Sequence, residues 1–252
     1  ESGFQPRIVS WARCAGMWQF LGATGTEYKL KQDGIVDERL DPEKATRAGA
    51  RHLLDLYRQF GDWYLAMAAY NCGRGCVEAA VRRSGYADFW KLRELNMLPR
   101  ETANYVPAIV ALTIISKNAA DYGVANVAMD PPLDHDTIEV SEATNLDLIA
   151  AATDRTLEEI RDLNPSLIKA LAPKGYALHV PKGSVRNVVA ALETIPPQNR
   201  ATWRMYRLKD GDTLAGISTK FYVSSASLMA ANTSFDAAEP GEMRALRVGD
   251  DG

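Results

Sequence analysis

The sequence predicts an α+β multidomain chain, with a mainly helical domain over residues 1–125 and two small strand–helix–helix–strand (βααβ) modules behind it. Three observations support this. Apolar residues recur at helical spacing to about residue 118, with capping residues and glycines at the segment ends. Asp130-Pro131-Pro132 then breaks the pattern and marks a linker, placed at residues 126–135. Beyond it, two segments repeat one order of elements: a short strand, two short helices and a closing strand.

In the first domain, Asp41-Pro42-Glu43 starts a helix, with Asp41 as N-cap and Pro42 at the first helical position. It carries Ala45, Ala48, His52, Leu53, Leu56 and Tyr57 to Phe60 and stops at Gly61. Trp63 to Tyr70 is an apolar helix ended by a turn at Asn71 and Gly73. A short helix over residues 77–83 stops at Gly85. The last helix runs from Glu101 to Asn118, apolar along Tyr105, Ile109, Leu112 and Ile115, with Pro107 in its first turns. The first module spans 136–182. Its strands are Thr137-Ile-Glu-Val and Ala177-Leu-His-Val-Pro181, its helices 146–152 and 157–163, and Leu163-Asn164-Pro165 follows the second helix. Residues 183–202 connect, with a short helix at 185–192 ended by Pro196-Pro197. The second module spans 203–252. A strand at Tyr206 leads into the Asp210-Gly211 turn, a helix capped by Asp212 or Thr213, the pair Ala231-Asn232, and a last strand at 245–248.

The composition, 46% hydrophobic and 24% charged, is that of an ordinary globular protein. Residues 1–130 carry a formal charge of +1 and the rest -4, which sum to -3, and neither part has the basic surplus of a nucleic-acid binder. A polymeric partner is then better sought among glycans, held by hydrogen bonds and aromatic faces. No apolar run approaches the ~20 residues of a membrane-spanning helix. The chain opens inside a motif, so it is taken as a piece of a longer precursor whose upstream part has room for a membrane or lipid anchor. Cys14, Cys72 and Cys76 are an odd set without the spacing of a disulfide framework or of a metal site, and fit small buried or loop thiols. No metal and no cofactor is expected.

Four short motifs carry the chemistry: Glu1-Ser2-Gly3-Phe4, Ala15-Gly16-Met17-Trp18-Gln19-Phe20, Ala69-Tyr70-Asn71-Cys72-Gly73 and Glu101-Thr102-x-x-Tyr105-Val106. In this order and spacing they resemble the signatures of the catalytic domain of lytic murein transglycosylases, whose fold is goose-lysozyme-like. The resemblance covers roughly residues 1–120. It implies a mainly α-helical, lysozyme-like catalytic domain that cleaves peptidoglycan strands without water.

Glu1 is then the catalytic acid. Breaking a β-1,4 glycosidic bond needs a proton on the leaving oxygen, which a carboxylic acid supplies. Ordinary glycosidases use two carboxylates. The family resembles the exceptions, in which the substrate's N-acetyl group stabilises the cation and the same glutamate then takes the proton of the C6 hydroxyl. The substrate-binding set implied is Ser2, Met17, Gln19, Tyr70, Asn71 and Tyr105. Each has a plainer role as well: Ser2 in a turn, Asn71 at a helix end, Tyr105 on a buried helix face. Trp18 fits core and sugar platform equally. Glu101 fits a structural charge at a helix N-terminus better than a second catalyst. The loops of Cys14 and Cys72 approach the cleft in the family, which raises a Cys14–Cys72 bridge.

The two modules resemble LysM units, which bind peptidoglycan and chitin. The second carries the D-G-D-T-L and A-N elements, and the first, lacking the G-D-T-L turn, is a degenerate copy. Gly211, Asp212, Thr213 and Asn232 border the glycan groove the resemblance implies, although the last three also fit ordinary caps and turns. The expected partner is peptidoglycan, not nucleic acid, and the expected location the periplasm or cell envelope. Two rivals stand beside this reading. A lysozyme-type hydrolase needs a second acid to activate water, and no motif supplies one. A non-catalytic cell-wall anchor would have no reason to keep Glu1, Gln19, Asn71 and Tyr105.

Overall fold

A computed structural model of the chain describes residues 1–128, 134–232 and 243–247, with the backbone alone at Arg207 and at 243–247. The linker residues Asp130-Pro131-Pro132 and the predicted strand end at Val248 lie outside the described residues. Internal contacts divide the chain into two units, one of Ala23–Leu30 and Pro42–Pro131, the other of Glu1–Gly22, Lys31–Asp41 and Pro132–Gly252.

The first unit is helical. After the short α1 (Gly22–Glu27) it holds α2 (Pro42–Phe60), α3 (Trp63–Cys72), α4 (Arg74–Ser84), α5 (Phe89–Glu94) and α6 (Arg100–Lys117). The centre is α3, which packs against α2, α4, α5 and α6. Its small residues Ala66, Ala68 and Ala69 are buried with Leu65, and that lets neighbouring backbones approach. Leu56, Val77, Phe89, Leu92 and Val106 close the core around it. Helix ends follow local chemistry. The Asp62 carboxylate accepts from Leu65 N at 2.8 Å at the start of α3, and Asp88 accepts from Lys91 N at 2.7 Å at the start of α5. Gly85 closes α4 in the left-handed conformation.

Two expectations for α6 change. Pro107 lies two turns inside the helix, not in its first turns. Proline offers no N–H to the carbonyl of Ala103, and Arg93 Nε fills the gap, donating to that oxygen at 2.9 Å. The buried line of α6 is Thr102 and Val106. Tyr105 and Ile109 are half-buried and Leu112 is exposed, and around Val106 the residues of α6 packed on the core are Tyr105 and Val110.

The other unit holds both modules. In the first, β1 (His135–Glu139) pairs antiparallel with β4 (Ala177–Pro181), with Thr137 opposite His179. Between them lie β2 (Thr144–Asn145), α7 (Leu146–Thr153), α8 (Leu157–Leu163) and β3 (Leu171–Ala172), β2 pairing with β3. A capping box starts α8, in which Thr156 and Glu159 satisfy each other's backbone N–H groups. Helix α9 (Val185–Glu193) closes the core with Val188 and Leu192. The second module is β5 (Trp203–Arg207), α10 (Leu214–Phe221), α11 (Ser225–Ala231) and β6 (Met243–Arg247), β5 pairing antiparallel with β6. Both copies thus keep the expected βααβ order, the first with an added inner strand pair, β2 and β3.

Residues 31–41, where no element was predicted, run beside the first module. Val36 bridges Leu167 and joins its core, Asp37 N donates to Ser166 O at 2.8 Å, and Ile168 N to Ile35 O at 2.9 Å. Among the described residues, no helix is long and apolar enough to cross a membrane.

Candidate active site

Glu1 is exposed at the head of a segment without regular structure. Ser2 fixes that segment. Its hydroxyl donates to the carbonyl of Met17 at 3.0 Å and accepts from Gln5 N at 3.1 Å, forming a turn. The residue carrying Glu1's neighbour is therefore tied to the loop 15–20.

That loop is a tight hairpin. Ala15 and Phe20, both buried, exchange two backbone hydrogen bonds of 3.1 Å. Gly16 has φ +79 and its N–H donates to Ile8 O at 2.9 Å. A Cβ there would lie 1.8 Å from the carbonyl oxygen of Arg39, so only glycine fits. Arg39 holds the loop from below, with Nη1 donating to Arg13 O and Phe20 O at 3.0 Å each. Its other face grips the Asp37 carboxylate through Nε and Nη2, at 3.0 and 2.7 Å. Gln19 is left-handed, and its amide donates to Gly16 O at 2.7 Å and more weakly to Ile8 O at 3.4 Å. Its nitrogen thus shapes the loop. Neither Asp37 nor Arg39 had a signal in the sequence.

In the helical unit, Tyr70 and Asn71 occupy the last turn of α3, half-buried. Asn71 is helical rather than left-handed, and Gly73 makes the turn with φ 88. The Asn71 amide is held from both ends: Thr102 Oγ1 donates to Oδ1 at 2.7 Å and Nδ2 donates to Glu101 Oε1 at 3.3 Å. Glu101 stands in the first turn of α6, as a carboxylate at a helix N-terminus should. Thr102 was not singled out in the sequence, although it lies in the same E-T-x-x-Y-V stretch. Tyr105 and Tyr70 both pack against the core of this unit.

Behind Tyr70 stands a cluster that sequence reasoning missed. The His52 ring lies between those of Tyr28 and Tyr70, 4.9 Å from each. The Tyr28 hydroxyl donates to Asp55 Oδ2 at 3.1 Å and accepts from Arg74 Nη2 at 3.3 Å. Burial, then the hydrogen bond to Asp55, pushes the Tyr28 phenol up to about 12. Burial and then the Arg74 guanidinium hold His52 below its ordinary value.

The cysteine reading is corrected. Cys72 and Cys76 form a disulfide with Cα atoms 5.9 Å apart, and Cys14 is free. The turn at Gly73 between α3 and α4 folds the chain back, bringing two residues four apart into bridging range. Cys14 is a free, half-buried loop thiol as expected, whereas Cys72 and Cys76 are bridged to each other and a Cys14–Cys72 bridge does not form.

In the second module, Gly211, Asp212 and Thr213 form the loop into α10, and Asn232 ends α11. Asp212 Oδ2 accepts from Lys209 N at 2.8 Å, which holds its carboxyl below the usual range. Thr213, rather than Asp212, caps α10, accepting from Gly216 N at 3.1 Å. Asn232 is buried, and Nδ2 donates to Leu228 O at 2.9 Å. Asn164 makes the same bond to Ile160 O in the first module, also at 2.9 Å. The shared geometry explains why both copies keep an asparagine there. Among the described residues, no group of three His, Cys, Asp or Glu is placed to hold a metal.

Comparison with known proteins matches residues 1–93 to the transglycosylase SLT domain, 134–197 to the LysM-like domain of the lytic transglycosylase MltD, and 206–241 to the LysM domain. The chain carries an SLT transglycosylase domain and two LysM-type modules. The first module, expected as a degenerate LysM, matches a LysM-like model of its own. The chain is 30% identical over 245 residues to membrane-bound lytic murein transglycosylase D of Escherichia coli strain K12, and equally to that of strain O6:H1. The alignment takes in 90% of this chain and 53% of each relative, so the chain spans about half the length of these proteins. It is also 43% identical over 77 residues to the peptidoglycan transglycosylase gp16 of Escherichia phage T7, covering 30% of this chain and 6% of that protein.

Proposed function

We propose that the chain cleaves the β-1,4 bond between N-acetylmuramic acid and N-acetylglucosamine in peptidoglycan, leaving 1,6-anhydromuramyl ends, and holds the cell wall through its LysM-type modules. The single observation that carries the reading is the run of E-S-x-F, A-G-x-W-Q-F and A-Y-N-x-G inside the SLT match, followed by two matches to wall-binding domains. Glu1 donates its proton to the leaving oxygen as the glycosidic bond breaks, and the substrate's acetamido group stabilises the cation. The Glu1 carboxylate then takes the proton of the C6 hydroxyl as that oxygen closes onto C1, and no water enters.

Ser2 and Gln19 hold the backbone around the acid, with Met17 supplying an apolar wall. Asn71, whose amide both donates and accepts, is oriented by Thr102 and Glu101 for an acetamido group. Tyr70 packs beside it, and Tyr105, on the core of the same helical unit, is a further substrate-binding residue. Gly211, Asp212, Thr213 and Asn232 border a glycan groove. The place of action is the cell envelope, on the periplasmic side. Glu1→Gln tests the assignment: the variant should keep its melting temperature and lose nearly all turnover, and retention of more than a few percent of the rate would overturn it.

A further inference from the structure

We propose that His52 is a positioning residue for the Tyr70–Asn71 turn, the middle of three rings, stacked on Tyr28 and tilted against Tyr70, that clamp this turn from both sides. The inference rests on the reading above, in which Asn71 meets substrate. Asn71 sits between Tyr70, whose ring contacts His52, and Arg74, the first residue of α4. The Arg74 guanidinium reaches back to the far end of the same stack, to the Tyr28 hydroxyl at 3.3 Å and Glu27 at 3.2 Å. Tyr28 is anchored further by Asp55 at 3.1 Å and, through its carbonyl, by Arg51 at 3.2 Å. Residues 70 and 74 are thus tied to one object, and the imidazole is the part that connects them. The sharp backbone at Gly73 and Cys72 lie between the two ties, and the Cys72–Cys76 bond spans the second of them.

The ring in the middle layer is titratable. The charged and titratable groups around it are Arg74, Glu27 and Asp55, with the Tyr28 and Tyr70 phenols above and below. As a neutral ring it fills the stack. Protonation places a second cation beside Arg74 in a half-buried site, and the stack then holds Tyr70 less firmly.

The test uses the full protein with murein strands as substrate, comparing His52→Phe, which keeps a middle ring, with His52→Ala, which removes it. His52→Ala should lower kcat about tenfold with KM within about twofold, since a misplaced binding group costs mainly in the transition state. His52→Phe should keep most of the rate and drop the part of the acid limb that His52 contributes. The side-chain amide resonances of Asn71 should move in His52→Ala and stay in His52→Phe. Unchanged kcat and unmoved Asn71 resonances in His52→Ala would overturn the proposal. So would equal losses of rate in both variants that track their melting temperatures. The wild-type product separates this from the reaction assignment: hydrolysed ends would remove the transglycosylase reading, while the Asn71 resonances would still report the coupling.

Discussion

Gly16→Ala tests the loop that organises the N-terminal motifs. The glycine has φ +79, a conformation that costs an alanine about 1–2 kcal/mol. The new Cβ would also fall 1.8 Å from the backbone oxygen of Arg39, which cannot rotate away as a side chain would. Backbone shifts forced by overpacking cost about 1–3 kcal/mol more. The expected total is roughly 2–5 kcal/mol, concentrated in the hairpin. Gly175 is the internal control, because it has φ +75 but nothing within 4 Å of its ideal Cβ. Gly175→Ala should therefore cost only the conformational part.

Amide hydrogen exchange reads both variants locally, which suits a chain of several folding units better than one global transition. In Gly16→Ala, the Ala15 and Phe20 amides should exchange roughly 30-fold faster or more, at tenfold per 1.4 kcal/mol. In Gly175→Ala the amide of Tyr176, which bonds Pro173 O at 3.1 Å, should change by about tenfold. If Gly16→Ala costs no more than Gly175→Ala, the Arg39 carbonyl does not press on this position and the account of the loop is wrong.

Other consequences are simpler to measure. Thiol titration of the denatured, non-reduced protein should find one reactive cysteine, Cys14, and three after reduction, and opening the small Cys72–Cys76 loop should cost about 2 kcal/mol. A double-mutant cycle of Asn71→Ala and Thr102→Val should give a coupling of about 1 kcal/mol in stability, since each change strands the other's hydrogen-bonding group; additivity would show that the 2.7 Å contact does not form. Because His52 is held below its ordinary value, the unfolded chain takes up this proton first as pH falls below about 6.5. Its contribution to stability is therefore full above that pH and is lost as pH drops toward the folded value. His52→Phe should flatten denaturant midpoints across that window, and an unchanged slope would contradict it.

The helical elements were legible where local chemistry sets them. Gly61 and Gly85 end helices through single backbone bonds that a short window of sequence shows. The two modules were legible because each repeats one element order with an asparagine after its second helix, and that asparagine closes the helix in both copies. What sequence could not show depends on contacts between distant residues. Val36 joins a core built more than a hundred residues later. Arg39 organises a loop about twenty residues earlier, and no local pattern announces either. His52 looked like one more core residue of α2, and only the fold brings Tyr28 and Tyr70 to its two faces. The Cys72–Cys76 bond escaped for a related reason, since residues four apart in a continuous helix would not be read as a pair and the break at Gly73 decides the matter.

The central claim is that Glu1 alone drives cleavage without water. The most direct measurement is mass spectrometry of the muropeptides released from purified sacculi by the full protein, with Glu1→Gln run in parallel. The account predicts products one water lighter than the hydrolysed fragments, with 1,6-anhydromuramyl ends, and none from the variant. Reducing ends carrying the added water, or anhydro products from Glu1→Gln, would contradict it.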